Sequence, residues 1–137
     1  MFKSLIVDDN DLFRQTLKWT FTSQFPSMHI EEAVDGNNKA LSIIKSQLPD
    51  LIFLDIKLSG ENGIQLTKKK KDLYPNIFII IMTSYNSPEY REAASQAGTE
   101  YFILKRSSST KDIIKVVESV LSRGLQLNQK NRGTKGK

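Results

Sequence analysis

The sequence predicts an α/β fold, a parallel sheet covered on both faces by helices, and three observations support this. Two runs, Leu51-Ile52-Phe53-Leu54 and Ile77-Phe78-Ile79-Ile80-Ile81-Met82, are apolar at every position, as strands buried on both faces must be. Strand-like and helix-like patterns alternate five times along the chain. The first, third, fourth and fifth strand-like runs also end abruptly in a polar or charged side chain, at Asp8, Asp55, Thr83 and Lys105.

Taken in order, Phe2 to Val7 reads as the first strand. Asp8-Asp9-Asn10-Asp11 follows, and Asn10 or Asp11 can cap a helix running to about Phe25. Within it Phe13, Leu17, Thr20 and Phe21 recur at helical spacing, and Pro26 stops it. His29 to Val34 is a second strand and Asp35-Gly36 a turn. The second helix places Ala40, Leu41, Ile44 and Leu48 in one apolar stripe ended by Pro49. Leu51 to Asp55 is the third strand, closed by the turn Ser59-Gly60-Glu61-Asn62-Gly63. A third helix, about Gly63 to Leu73, is expected despite Lys68-Lys69-Lys70-Lys71, because lysine stems can cover apolar surface while their ammonium groups stay in water. The strand Ile77 to Met82 ends in Thr83-Ser84. Pro88 opens a fourth helix containing Ala93, Ala94 and Ala97, with Gly98 as its C-cap. Tyr101 to Leu104 is a fifth strand ending in Lys105-Arg106. Ser107 to Ser109 offer caps for a last helix whose Ile113, Ile114, Val117, Val120 and Leu121 face inward.

A chain of 137 residues suits one domain with a substantial core. That domain is placed at residues 1–124, and 125–137 is read as a basic, disordered tail or linker stub with no second domain. With no cysteine, disulfides and thiolate metal sites are excluded, which fits a reducing compartment, and a cytoplasmic location is expected. No export signal is read at the N-terminus, and no stretch approaches the roughly 18 apolar residues needed to span a bilayer. The formal charge of +5 does not point to nucleic acid. Four basic residues, Lys130, Arg132, Lys135 and Lys137, lie beyond Gly124, leaving 16 basic against 15 acidic side chains before it.

Right-handed crossovers place every strand's carboxyl end on one edge, where open α/β sheets bind ligands. That edge collects Asp8, Asp9, Asp55, Thr83 and Lys105. Singly, each has an ordinary explanation as a helix-start, turn or solvated residue. Together, three carboxylates repel one another unless a cation neutralises them, and an all-oxygen set favours a hard ion such as Mg2+. A carboxylate nucleophile, a cation, a hydroxyl and an ammonium are the parts of phosphoryl transfer. There is no Gly-rich nucleotide loop. His29, the lone histidine, lies away from that edge and is not read as a ligand or acid/base.

Val7-Asp8-Asp9-Asn10, Asp35-Gly36 with Ala40-Leu41, Leu54-Asp55 with Gly60 and Gly63, Met82-Thr83-Ser84, and Ala97-Gly98 leading to Phe102 and Lys105 together resemble the receiver domain of two-component response regulators. The resemblance covers about residues 1–122. It implies a flavodoxin-like (βα)5 three-layer sandwich with sheet order 2-1-3-4-5. It implies that Asp55 accepts a phosphoryl group from a sensor histidine kinase or phosphotransfer protein. Asp9 would bind Mg2+ directly and Asp8 through water, with Asp55 also a metal residue, and the Lys57 backbone carbonyl would complete the protein's share. Thr83 would hydrogen-bond one phosphoryl oxygen and Lys105 pair with another. Phe102 matches the switch aromatic, and the fourth helix, fifth strand and fifth helix the surface that meets partners or dimerises. Such a chain is a phosphoacceptor signalling domain rather than an enzyme, although it promotes its own phosphorylation and dephosphorylation.

The chain departs from the family at Arg106, where proline is usual after the lysine, and a trans Lys105–Arg106 bond is expected. Ser59 also stands where proline is common. Lys57 and Tyr85 occupy positions that tune phosphoryl lifetime, and Lys57 is expected to weaken Mg2+ binding by competing with the metal. The alternative is a degenerate receiver that binds proteins without phosphorylation. A haloacid-dehalogenase-type phosphatase needs a second acid two residues after the nucleophile, where Lys57 stands. Some receivers act alone and others carry a DNA-binding or enzymatic output domain. The acidic pair running into a helix and Lys105-Arg106 resemble regulators with a C-terminal helix-turn-helix, and no direct DNA binding by this chain alone is expected, because it lacks a recognition helix on a basic face.

Overall fold

A computed structural model describes every residue except 1, 35–37, 56–62, 85–87, 100, 106–108 and 136–137; the side chains of 38, 63–66, 71, 90 and 125–135 are also outside it. Lys57, Ser59, Tyr85, Arg106 and the Asp35-Gly36 turn therefore lie outside the described residues. Ten elements alternate: β1 (Lys3–Val7), α1 (Asp11–Gln24), β2 (His29–Ala33), α2 (Asn38–Gln47), β3 (Leu51–Asp55), α3 (Gly63–Leu73), β4 (Phe78–Thr83), α4 (Pro88–Gln96), β5 (Tyr101–Leu104) and α5 (Thr110–Lys135). All pairings are parallel and the order is β2-β1-β3-β4-β5, the flavodoxin-like arrangement expected.

Strand alternation explains the three layers. Leu5, Val7, Ile52, Leu54, Ile79 and Ile81 feed one core, with Ala40 and Ile44 of α2 and Ala94 of α4. Their neighbours Ile6, Leu51, Phe53, Phe78, Ile80 and Met82 feed the other, with Leu17 and Phe21 of α1 and Ile113, Val117 and Val120 of α5. β3 and β4 are buried at every residue, because both of their faces meet helices. Asn10 caps α1, its side chain accepting from the Phe13 amide at 2.9 Å. Ser109 and Asp112 cap α5 reciprocally, at 3.0 and 3.2 Å. Gly98, at φ 96°, closes α4 in a conformation that strains other residues.

Two expectations need correction. Leu48 does not join the α2 stripe: the helix ends at Gln47, and Leu48 is 55% exposed at φ 48°. The cause is Pro49, whose ring disfavours a right-handed helical residue before it. Because a left-handed leucine is strained, Leu48→Asn is expected to raise stability by up to about 1 kcal/mol, measured by urea unfolding.

The lysine run of α3 does not keep all its ammonium groups in water. Thr67 and Lys70, three residues apart, face inward while Lys68 and Lys69 point outward. Lys70 is 2% exposed, and its Nζ donates to the Ile77 carbonyl. That bond satisfies a buried ammonium that snorkelling would have left in solvent.

The helix α5 runs from Thr110 to Lys135, past Gly124. Gly124 does not end it, since among the described glycines only Gly98 takes a positive φ. No proline follows Pro88 to break the helix. No helix among the described residues is long and apolar enough to cross a membrane.

Candidate functional site

The polar strand ends meet on one edge of the sheet. Asp8 follows Ile6 by two residues, Asp55 follows Phe53, and Lys105 follows Ile103, so all three share the strand parity of the core beneath α1 and α5. Thr83 follows Ile81 and carries the opposite parity. The Lys105 amide donates to the Thr83 carbonyl at 2.8 Å, which ties the ends of β4 and β5 together.

The carboxylates of Asp8, Asp9 and Asp55 offer ligand oxygens all within 4.8 Å of one another. Asp8 and Thr83 are 0% exposed and Asp55 is 8% exposed, whereas Asp9 faces solvent. Lys105 bridges the two buried acids: its Nζ lies 2.6 Å from Asp8 Oδ2 and 3.2 Å from Asp55 Oδ2. The contact with Asp55 is also a hydrogen bond. The closer contact with Asp8 is an ion pair without hydrogen-bond alignment, so Asp8 Oδ2 is buried with no hydrogen-bond donor. The other oxygen of Asp8 accepts from the Asn10 amide at 2.9 Å.

This donor set fits a hard divalent cation. Two oxygens on one Mg2+ lie about 3 to 4 Å apart, and each of the three acids offers an oxygen within 4.8 Å of the others. A buried carboxylate oxygen lacking a donor is costly, and a cation would satisfy it. Among the described residues, three acids facing the Lys105 ammonium also give the site excess negative charge. Asp8, Asp9 and Asp55 are the residues that could hold such an ion; the Lys57 carbonyl lies outside the described residues.

Two neighbours carried no site signal in the sequence. The Phe13 ring lies under the Lys105 ammonium, 4.5 Å from centroid to Nζ. Arg14 is buried, and its Nη1 donates to the Asp8 backbone carbonyl at 2.8 Å. Its Nε reaches Glu32 Oε1 at 3.1 Å, its Nη2 pairs with Asp11, and Lys18 meets Glu32 Oε2 at 2.8 Å. The acid-bearing turn between β1 and α1 is thereby fastened to β2. The hydrogen bond from Lys18 holds Glu32 below the usual carboxylate range, and Arg14 lowers it further. A depressed folded-state pKa adds stability that is full above the unfolded value and lost as pH falls through the folded one. Glu32→Gln is therefore expected to cost about 1 kcal/mol near neutrality, with parent and variant converging in acid, followed by urea unfolding against pH.

Phe102 and His29 lie at different places on the sheet. Phe102, in register with Ile81, is half-buried beside the α2/α4 core, and the Arg91 guanidinium lies 4.7 Å from its ring centroid. His29 begins β2, at the opposite end of that strand from the acids, and pairs with Glu31 at 2.9 Å.

Residues 4–118 match the model of the response regulator receiver domain. The chain belongs to that family. It is 35% identical over 103 residues to the transcriptional regulatory protein YhcZ of Bacillus subtilis, covering 75% of this chain and 48% of that one. It is 34% identical over 96 residues to the sporulation initiation phosphotransferase F of the same organism, covering 70% and 75%. Among solved structures, the CheY-like receiver domain protein of Methanospirillum hungatei aligns with a TM-score of 0.83 at 25% identity, covering 92% of this chain and 98% of that one. The receiver chain spans about half the length of YhcZ.

Proposed function

We propose that this receiver domain accepts a phosphoryl group on Asp55 from a phosphohistidine of a sensor kinase or phosphotransfer protein. The observation that carries this reading is the convergence of Asp8, Asp9 and Asp55 within 4.8 Å, with the Lys105 ammonium between the two buried acids. In the transfer an Asp55 carboxylate oxygen forms the new P–O bond. The P–N bond of the donor breaks, and the imidazole departs with its electron pair. Asp8, Asp9 and the Lys57 carbonyl would hold Mg2+ beside Asp55, with Asp9 in direct contact. When bound, the ion supplies positive charge to the carboxylates and to the phosphoryl oxygens. Lys105 reorients its ammonium from Asp55 to a phosphoryl oxygen, and Thr83 donates its hydroxyl to another.

Those two new contacts exist only in the modified state, which is what a two-state switch requires. Thr83 and Phe102 are the switch residues in this reading, while Lys57 and Tyr85 tune phosphoryl lifetime. The altered surface is α4, β5 and α5, through which a partner binds or two copies dimerise. In this reading gene control, suggested by the likeness to a regulator named for transcription, is exerted by a longer protein rather than by DNA contacts of this domain.

The test is incubation with acetyl phosphate and Mg2+ followed by intact-mass measurement. One adduct of roughly 80 Da, one phosphoryl group, is expected, and EDTA should prevent it. A folded protein that takes up no phosphoryl group would instead favour the phosphorylation-independent binding module.

A further inference from the structure

We propose that Phe13 is a positioning residue for Lys105: its ring face holds the ammonium over the acid pocket and so sets how strongly that amine competes with a divalent cation for Asp8 and Asp55. The inference rests on the metal-site reading above.

Among the described residues, Lys105 Nζ has three neighbours, Asp8 Oδ2 at 2.6 Å, Asp55 Oδ2 at 3.2 Å and the Phe13 ring centroid at 4.5 Å. The last distance is well inside the roughly 6 Å range of a cation–π contact. The Lys105 side chain is 10% exposed, so little water screens the attraction. Phe13 is itself anchored. Its amide is held by the Asn10 side chain at 2.9 Å in the first turn of α1, and it packs against the core containing Leu17, Phe53 and Ile103.

The three neighbours differ in what a metal would do to them. The two carboxylates are the groups a cation would claim, so each is contested between the ion and the amine. Phe13 is neutral and offers no ligand atom. Its attraction is felt only while the ammonium stays in the pocket, so it strengthens the competitor and contributes nothing to the metal-bound arrangement. Removing the ring should therefore tighten metal binding, the reverse of what damage to the site would produce.

The experiment is a calorimetric Mg2+ titration of the parent, Phe13→Leu, Phe13→Tyr, Lys105→Met and the Phe13→Leu/Lys105→Met double variant. Phe13→Leu should bind Mg2+ about twofold to fivefold more tightly than the parent, and Phe13→Tyr, which keeps the ring, should match the parent. In the Lys105→Met background the same leucine substitution should change affinity by less than about 1.5-fold, because the group on which Phe13 acts is gone. A second readout needs no metal: the ε-methylene protons of Lys105 should be shifted upfield by the ring in the parent and in Phe13→Tyr, and return to ordinary positions in Phe13→Leu. Equal affinity changes in both lysine backgrounds, weaker binding by Phe13→Leu, or an unshifted Lys105 in the parent would overturn the proposal. A parent that binds no Mg2+ would strike the metal-site reading itself, and the competition with it.

Discussion

Asparagine at position 55 should abolish phosphoryl uptake and at the same time make the metal-free protein more stable. The first effect follows from the chemistry: a carboxamide oxygen is a far weaker nucleophile than a carboxylate, so the roughly 80 Da adduct should disappear under conditions that modify the parent. The second follows from counting charges in the pocket. Among the described residues, Asp55 is attracted to the Lys105 ammonium and repelled by the carboxylates of Asp8 and Asp9. It is also nearly buried, so its charged form is poorly solvated. Neutralising it removes more repulsion than attraction, and a gain of about 0.5–2 kcal/mol is expected in EDTA by urea unfolding. Added Mg2+ should narrow the gap, because the ion stabilises the parent more than the asparagine variant. Loss of the adduct together with loss of stability would mean that Asp55 is a structural acid, stabilised by Lys105 beyond its repulsions.

Much of the site was legible in sequence because its signal is positional. Asp55 and Thr83 each terminate an all-apolar strand, and parallel topology alone carries such ends to one edge. Phe13 and Arg14 were hidden for the opposite reason. A phenylalanine at helical spacing reads as core, which Phe13 also is, and an arginine in an amphipathic helix reads as solvated. Their roles depend on how α1 is rotated against β1 and β5, which periodicity leaves open. Lys70 illustrates the same limit: its charge said surface, while its place three residues after Thr67 said core, and the Ile77 carbonyl decided between them. In Leu48 a local rule lost to its neighbour, since a helical stripe cannot pass through the residue before Pro49.

Lys105→Met is the counterpart to the asparagine substitution and should act in the opposite direction. The methionine keeps most of the stem that packs near Phe13 but removes the only cation that Asp8 and Asp55 share among the described residues. Asp8 would then be fully buried with one oxygen facing neither a donor nor a positive charge. Deleting one partner of a buried pair typically costs about 3–5 kcal/mol, much of it the penalty of the charge left behind. A loss of that size is expected in EDTA, and it should shrink as Mg2+ is added, by about 1.4 kcal/mol for each tenfold by which the variant binds the ion more tightly than the parent. Adding Asp8→Asn to Lys105→Met should recover stability without metal, because it removes the stranded charge rather than replacing its partner. If the lysine instead serves mainly as packing, Lys105→Met would be nearly neutral and insensitive to Mg2+, and the ammonium would have no part in holding the acid pocket together.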